Sequence, residues 1–299
     1  MSKKVLAIYF SQSGQLGEII ERFTAPIIEA GVTVETVRVS MATDYPFPWS
    51  AERFFSVMPD CVLSVPGQLA PFQLKEQSYD LIIVGYQAWF LSPSIPFNSL
   101  MQQPGFRNVL KDTPVITVTG ARNMWISAYE RVKTLLKDAD AKLVGNIALV
   151  DRHANFVSFV TIFHWLLRGK KDRYLNIFPK PGVSDEDIAN MSTWGKLILP
   201  YINKGEWQGL QAELIAKKAL EVKYNLMFIE SRARPIFAFW AKFIVKRKNQ
   251  TAWLTVYKYY LIIALFLGAP VLLLLDAIFI KPFSSKRIKA KKQYYLELN

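Results

Sequence analysis

The sequence predicts an α/β protein, with a doubly wound five-stranded parallel sheet of order 2-1-3-4-5 and a C-terminal helical appendage suited to a membrane. Three observations predict it. Short apolar runs alternate with helix-like patterns through the first 200 residues, which is the signature of a parallel sheet covered on both faces. The repeat gives five strands in about 150 residues, the size of a small doubly wound unit whose ligands bind at the carboxyl ends of its strands. Charge then separates the halves: residues 1–150 carry 13 Lys and Arg against 13 Asp and Glu, and residues 151–299 carry 24 against 11. The whole excess of +13 lies in the second half, which points to an anionic surface as partner.

The elements follow in order. Val5 to Phe10 is a short, nearly uncharged apolar run that reads as a buried strand. Leu16, Ile19, Ile20, Phe23 and Ile27 then fall at helical spacing, with Glu18 and Glu21 in the early turns and Gly31 placed as a stop. Further strands are read at Thr33 to Val39, Tyr79 to Gly85, Val115 to Thr119 and Lys142 to Val150, with a helix at Ile126 to Leu136. A last helix of the unit is expected over Ser184 to Ile202, with Ser184 as N-cap and three acids in its first turn. One domain is therefore expected over residues 1–205, carrying an insertion at 151–181, and a basic helical region over 206–299. The one cysteine, Cys61, excludes an internal disulfide and thiolate metal clusters. The apolar run after Lys3 and Lys4 is too short for a signal peptide, so the N-terminal half is expected in the cytoplasm.

The insertion contains the aromatic stretch "NFVSFVTIFHWLLRGKK". It reads either as an access element beside the ligand end of the sheet or as a small helix packed on the core. In the appendage, Ala233 to Lys248 puts Ile236, Phe239, Trp240 and Phe243 on one helical face, with Lys242, Lys246 and Arg247 elsewhere, the pattern of an interfacial helix. Tyr259 to Ile280 follows, with Asp276 its one charge, and is long enough for a hydrocarbon core that needs about 20 residues. Basic residues flank both ends, so charge does not choose an orientation. Gly268 and Pro270 leave a kink or a re-entrant hairpin open. Anionic lipid satisfies both the charge and the apolar surface, whereas nucleic acid would satisfy only the first, so no nucleic-acid partner is expected.

The turn after the first strand reads Ser11-Gln12-Ser13-Gly14-Gln15-Leu16. It gathers unpaired backbone N–H groups and two hydroxyls at a helix N-terminus, a place for a phosphate. It lacks the G-x-G-x-x-G of a dinucleotide site and the lysine of a Walker loop. Its S-x-S-G resembles the phosphate loop of flavodoxin-like proteins, usually Thr/Ser-x-Thr/Ser-Gly-x-Thr/Ser. Ser11, Ser13 and Gly14 match, and Leu16 departs from the final hydroxyl. The third strand leads into "GYQAWFLSPSIPF", where that resemblance implies an isoalloxazine cradle made by Tyr86, Gln87, Ala88, Trp89 and Phe90. As plain core aromatics Trp89 and Phe90 would need no ligand. The fourth strand leads into "TGARNMW", at the position of a third flavin loop, with Gly120, Arg122 and Asn123. Arg122 could stabilise an enolate or a reduced flavin anion, or form an ordinary surface ion pair.

With "DYPFPW" at Asp44 to Trp49 and the basic apolar tail, these motifs resemble the flavodoxin-like subunit of dialkylresorcinol biosynthesis over nearly the whole chain. The resemblance implies FMN as cofactor, a ketosynthase partner that makes a dialkylcyclohexanedione, and oxidation of that lipophilic substrate to the resorcinol. It also suits the cytoplasmic face of the inner membrane. Candidate proton acceptors near strand ends are His153, Asp151 and Tyr86, with His153 preferred because an unperturbed imidazole titrates near neutrality. His164, inside the apolar stretch, reads as packed or interfacial. Two other readings stay open: a quinone-linked oxidase of another lipophilic substrate, and a flavin-free membrane scaffold for a ketosynthase, which Leu16 keeps alive.

Overall fold

The computed structural model describes residues 2–298. Five strands form one parallel sheet: β1 (Lys4–Tyr9), β2 (Thr33–Arg38), β3 (Leu81–Tyr86), β4 (Pro114–Ala121) and β5 (Lys142–Val150). Their order in space is β2-β1-β3-β4-β5, the expected 2-1-3-4-5. Ala7 lies between Thr36 and Ile83, and Val84 pairs with Thr117, so every neighbour runs in the same direction. Val5 to Ile8 and Leu81 to Val84 are fully buried, as uninterrupted apolar runs must be when helices cover both faces. The chain reverses its winding between β1 and β3, and the loops leaving β1, β3 and β4 meet at that end.

Helix α1 (Gln15–Glu29) buries the stripe read from its periodicity, with Leu16, Ile19, Ile20, Phe23 and Ile27 at most 1% exposed. It ends at Gly31, whose φ of 83° is left-handed. Helix α2 (Ile126–Lys137) precedes β5, and α3 (Asn155–Arg168) is the insertion, stopped by Gly169. The helix expected over Ser184 to Ile202 is instead two pieces, Asp185–Ala189 and α4 (Met191–Lys204), separated at Asn190. Ser184 does cap the first, its hydroxyl accepting from the Asp187 N–H at 3.0 Å.

The first residues after 205 pack on the sheet. In α5 (Leu210–Ala216), Leu210 and Leu214 are fully buried beside Gly145 of β5, and the Ala148 N–H donates to the Ala219 carbonyl. Three longer helices follow: α6 (Tyr224–Ile244), α7 (Gln250–Phe283) and α8 (Ser285–Leu296). Helix α6 starts nine residues ahead of the expected Ala233. Helix α7 is the long apolar element, and it runs through Gly268 and Pro270 without reversing, with π-helical turns at Ala264–Gly268 and Asp276–Ile280. A local loosening of the helix therefore replaces the hairpin left open by the sequence. Asp276, 1% exposed, accepts a hydrogen bond from the Tyr224 hydroxyl at 2.8 Å, which satisfies the one carboxylate of the apolar stretch.

Helix α4 approaches α1 so closely that a Cβ on Gly195 would clash with the Phe23 carbonyl oxygen. Gly195→Ala must push the two helices apart. It is expected to cost on the order of 2 kcal/mol, read as a lower urea midpoint at an unchanged denaturant slope.

Candidate functional site

The first loop turns on Gly14, whose φ of 88° is left-handed and strains any side chain. The backbone N–H groups of Ser13 to Leu16 have no protein acceptor among the described residues. They are the orphan donors of the α1 N-terminus, where the macrodipole adds positive potential. Ser11 is turned inward, 2% exposed, its hydroxyl accepting from the Gly17 N–H at 3.3 Å. Ser13 and Gln12 face the cavity described below. The Gln12 amide also donates to the carbonyls of Tyr45 at 2.7 Å and Pro46 at 3.0 Å, tying this loop to DYPFPW. Gln15 makes a reciprocal pair with the backbone of Val183, each bond 3.2 Å.

In the second loop, Ala88–Trp89 pairs with Ser92–Pro93 in a minimal hairpin whose tip, Phe90 and Leu91, is left-handed. Trp89 sits among Tyr45 at 5.3 Å, Trp49 at 5.5 Å and Phe10 at 6.0 Å between ring centroids. Gln87 Oε1 is buried with no hydrogen-bond partner, an acceptor that a ligand N–H would satisfy. In the third loop, the Arg122 guanidinium donates to the carbonyl and the side-chain oxygen of Asn155 at 3.2 and 2.9 Å, and Asn123 donates to that same side chain at 2.8 Å. No carboxylate lies within ion-pair distance of Arg122 among the described residues. Burial lowers its pKa to about 10, against an opposing pull from Asp151, so it stays charged at neutral pH.

These loops form one side of a cavity of about 530 Å³. Gln12, Ser13, Gln15, Leu16, Gln87, Ala88, Trp89, Phe90, Gly120 and Arg122 all line it. The other side is built by Phe159, Phe163 and Trp165 of α3, Ile229, Arg232 and Phe237 of α6, and Tyr260, Leu261 and Gly268 of α7. DYPFPW closes one flank: the Trp49 N–H donates to the Leu166 carbonyl at 2.7 Å, and Phe47 meets Trp165 edge-on. The lining is mostly apolar and contains two arginines but no acid and no histidine. Such a chamber favours an anion with apolar substituents.

Three of the expected catalytic groups are not in that lining. Tyr86 is 1% exposed with its ring against Phe97, and burial raises its pKa well above the usual value. It is a core residue rather than a base, because alternation along a buried strand turned its side chain under the sheet. Asp151 is 2% exposed and fully engaged: one oxygen accepts from the His153 backbone at 2.9 Å and ring at 2.6 Å, the other from the Ser158 hydroxyl at 2.8 Å. His153 is thereby held on the outside of the turn, its side chain 40% exposed. His164 packs on Tyr174 and pairs with Asp172 at 2.8 Å, in a separate groove.

One residue beneath the third loop carried no sequence signal. Glu230 of α6 is 1% exposed and its carboxyl accepts from the Ser127 N–H at 2.5 Å, at the N-terminus of α2. Its other oxygen has no partner, and burial pushes its pKa up to about 7 despite the helix N-terminus. An acid 103 residues from its donor cannot be matched to it by spacing.

No protein-family model matches the chain, and no curated protein does. Among solved structures, the chain is similar to a flavoprotein in complex with FMN from Lactobacillus acidophilus NCFM, at 18% identity and a TM-score of 0.39, covering 49% of this chain and 93% of that one. It is similar to a flavodoxin from the domain Archaea, at 13% identity and a TM-score of 0.37, covering 67% and 99%. It is also similar to two-electron reduced Megasphaera elsdenii flavodoxin, at 16% identity and a TM-score of 0.31, covering 51% and 89%. Likenesses at this level bear on neither ligand nor activity.

Glu230 makes stability depend on pH with a defined sign. Its folded pKa of about 7 lies above the unfolded value of 4.5, so the folded state holds the proton more tightly. Stability from this group is full below the unfolded pKa and is lost as pH rises through the folded one. The loss amounts to about 3 kcal/mol. Glu230→Gln is expected to flatten that fall, so its Tm advantage over the parent grows between about pH 5 and about pH 8 in thermal melts.

Proposed function

We propose that the protein is a membrane-associated, FMN-dependent oxidoreductase that dehydrogenates a lipophilic cyclic dione to a dialkylresorcinol, with a ketosynthase supplying the dione. The observation that carries this reading is the two-sided chamber: phosphate-ready and aromatic loops face lipid-compatible helices around a buried guanidinium. The ketosynthase, and a place at the cytoplasmic face of the inner membrane, enter through the resemblance of SQSGQL, DYPFPW, GARNMW and the basic tail.

The residues present fit FMN. The free N–H groups of Ser13 to Leu16 and the Ser13 hydroxyl suit a phosphate monoester, with Leu16 contributing its amide in place of the missing hydroxyl. Gln87 Oε1 suits an N–H on the pyrimidine edge, and Trp89 and Phe90 offer apolar surface to a planar ring. Bound FMN would supply a two-electron acceptor for a hydride.

The chain's own residues would do the rest. A cyclohexane-1,3-dione is acidic enough to reach the cavity as its enolate, having given its proton to water. Arg122, oriented by Asn155 and free of any carboxylate, places N–H donors and a positive charge at the enolate oxygen. Loss of a hydride from the ring carbon β to a carbonyl, with the proton of the adjacent α-carbon passing to water, then leaves the resorcinol as its anion, which takes a proton back from water. The lining holds no carboxylate and no histidine to take the α-proton, which passes to water at the cavity mouth. Phe159, Phe163 and the α7 residues exclude water and receive the alkyl chains.

Protein purified in detergent is expected to be yellow and to release FMN identified by mass, and Gly14→Val is expected to abolish that retention. A colourless parent protein that takes up no added FMN would favour the scaffold reading instead. Arg122→Gln is expected to lower kcat/KM for the dione about a hundredfold with FMN content retained. Full turnover would remove Arg122 from the mechanism.

A further inference from the structure

Helix α7 meets the rest of the chain, chiefly α3 and α6, from Tyr257 to Asp276. Near its start the Tyr257 ring packs on Phe55, Phe237 and Trp240. At its middle Phe266 meets Phe156 and Phe159 at 5.1 and 5.2 Å, and Ala269 is buried with Phe228 and Ile229. Toward its end Asp276 bonds Tyr224. The chain then returns in α8, where Tyr294 donates to Glu130 at 3.0 Å and the Leu296 carbonyl accepts from Gln211 at 2.7 Å. The covered positions 257, 261, 265, 269, 273 and 276 recur every three or four residues, a single helical stripe.

The opposite stripe is bare and apolar. Tyr259, Ile263, Leu267, Val271, Leu274 and Ile278 are 53–65% exposed. Ile236, Ile263 and Leu272 are exposed and also line the cavity, so its mouth opens on this face. Cations lie beside it and just beyond both its ends. Arg168 and Lys170 share a groove with Tyr259 and Ile262, and neither these nor Lys246, Lys248 and Lys286 pair with a carboxylate among the described residues.

We propose that α7 does not cross the membrane but lies in the plane of one leaflet, its bare stripe in the acyl region and the neighbouring cations on acidic headgroups, so that the cavity opens directly into the lipid. A helix crossing the bilayer would be surrounded by acyl chains for about 30 Å. Such a helix could not keep α3, α6 and Phe55, with the sheet behind them, against one side from Tyr257 to Asp276 and still let the chain return through α8 to α2. The in-plane position buries the bare stripe and leaves every observed contact in place.

This inference rests on the membrane-associated reading, and the test separates the two. Full-length protein is diluted from detergent into preformed vesicles of equimolar phosphatidylcholine and phosphatidylglycerol, or of phosphatidylcholine alone, and floated. Flotation is expected with the acidic vesicles and is expected to fall about tenfold or more in Leu267→Lys and in Leu274→Lys. Single-cysteine reporters at Lys248→Cys and Ser284→Cys, on either side of α7, are then treated with a membrane-impermeant maleimide, Cys61 being fully buried and silent. Equal labelling of both before and after detergent is expected. Flotation with one reporter protected until detergent is added would overturn the in-plane position alone. Flotation unaffected by Leu267→Lys and by Leu274→Lys would overturn it as well. No flotation of the parent protein with either vesicle would overturn both readings.

Discussion

The seating of α7 across the open ends of the strands is the constraint on which the site depends. A doubly wound sheet leaves its ligand end to loops, and here those loops expose Trp89, Phe90 and the aromatic face of α3. Without α7 that surface would face water, at about 25 cal/mol for each Å² of apolar area. With it, the same residues become the inner wall of a chamber. The pair between Asp276 and Tyr224 fixes the far end, because a carboxylate withdrawn from water needs a donor and Tyr224 is the one observed to reach it.

The chamber wall is held by short bonds between segments far apart in sequence. Gln12 ties the first loop to DYPFPW, Trp49 ties DYPFPW to α3, and Asn155 at the start of α3 orients Arg122 of the third loop. Gln15 binds the same first loop to Val183. Each loop is thus braced by a neighbour rather than by its own strand, which holds donors and ring surfaces in fixed positions before any ligand arrives. Glu230 extends the bracing beneath the third loop by capping α2, so α6 contributes to the wall and to its foundation.

The fold was legible because its signals are local. Buried strands and the stripe of α1 each repeat within a few residues, and β5 was read to its ends, Lys142 and Val150. The loops were legible because they lie at strand ends, where chain order alone brings SQSGQL, Gln87 and Arg122 together. The failures share a cause. Tyr86 and Gln87 are adjacent, yet one points into the core and the other into the chamber, and proximity to a strand end does not distinguish them. His153 has a suitable ring, but Asp151 and the turn aim it outward. Hydropathy is a scalar, so it left a span and a hairpin both open for the stretch within α7, whereas the covered stripe depends on aromatic partners at Phe55, Phe159 and Trp240 that lie outside that stretch.

The two arginines and the apolar walls have to be considered together. A guanidinium in water binds an anion weakly, since water solvates both. In a chamber that lacks acids and is roofed by α7, the same charge interacts through a lower dielectric, and the attraction grows several-fold. The cost is desolvation of Arg122, visible in its lowered pKa, and Asn155 offsets it by accepting two of its hydrogen bonds. An acidic residue in the lining would cancel that advantage by pairing with the arginine. The absence of acids from the lining and the presence of the cation therefore act together: the chamber offers an anionic ligand a partner for its charge and no competing carboxylate.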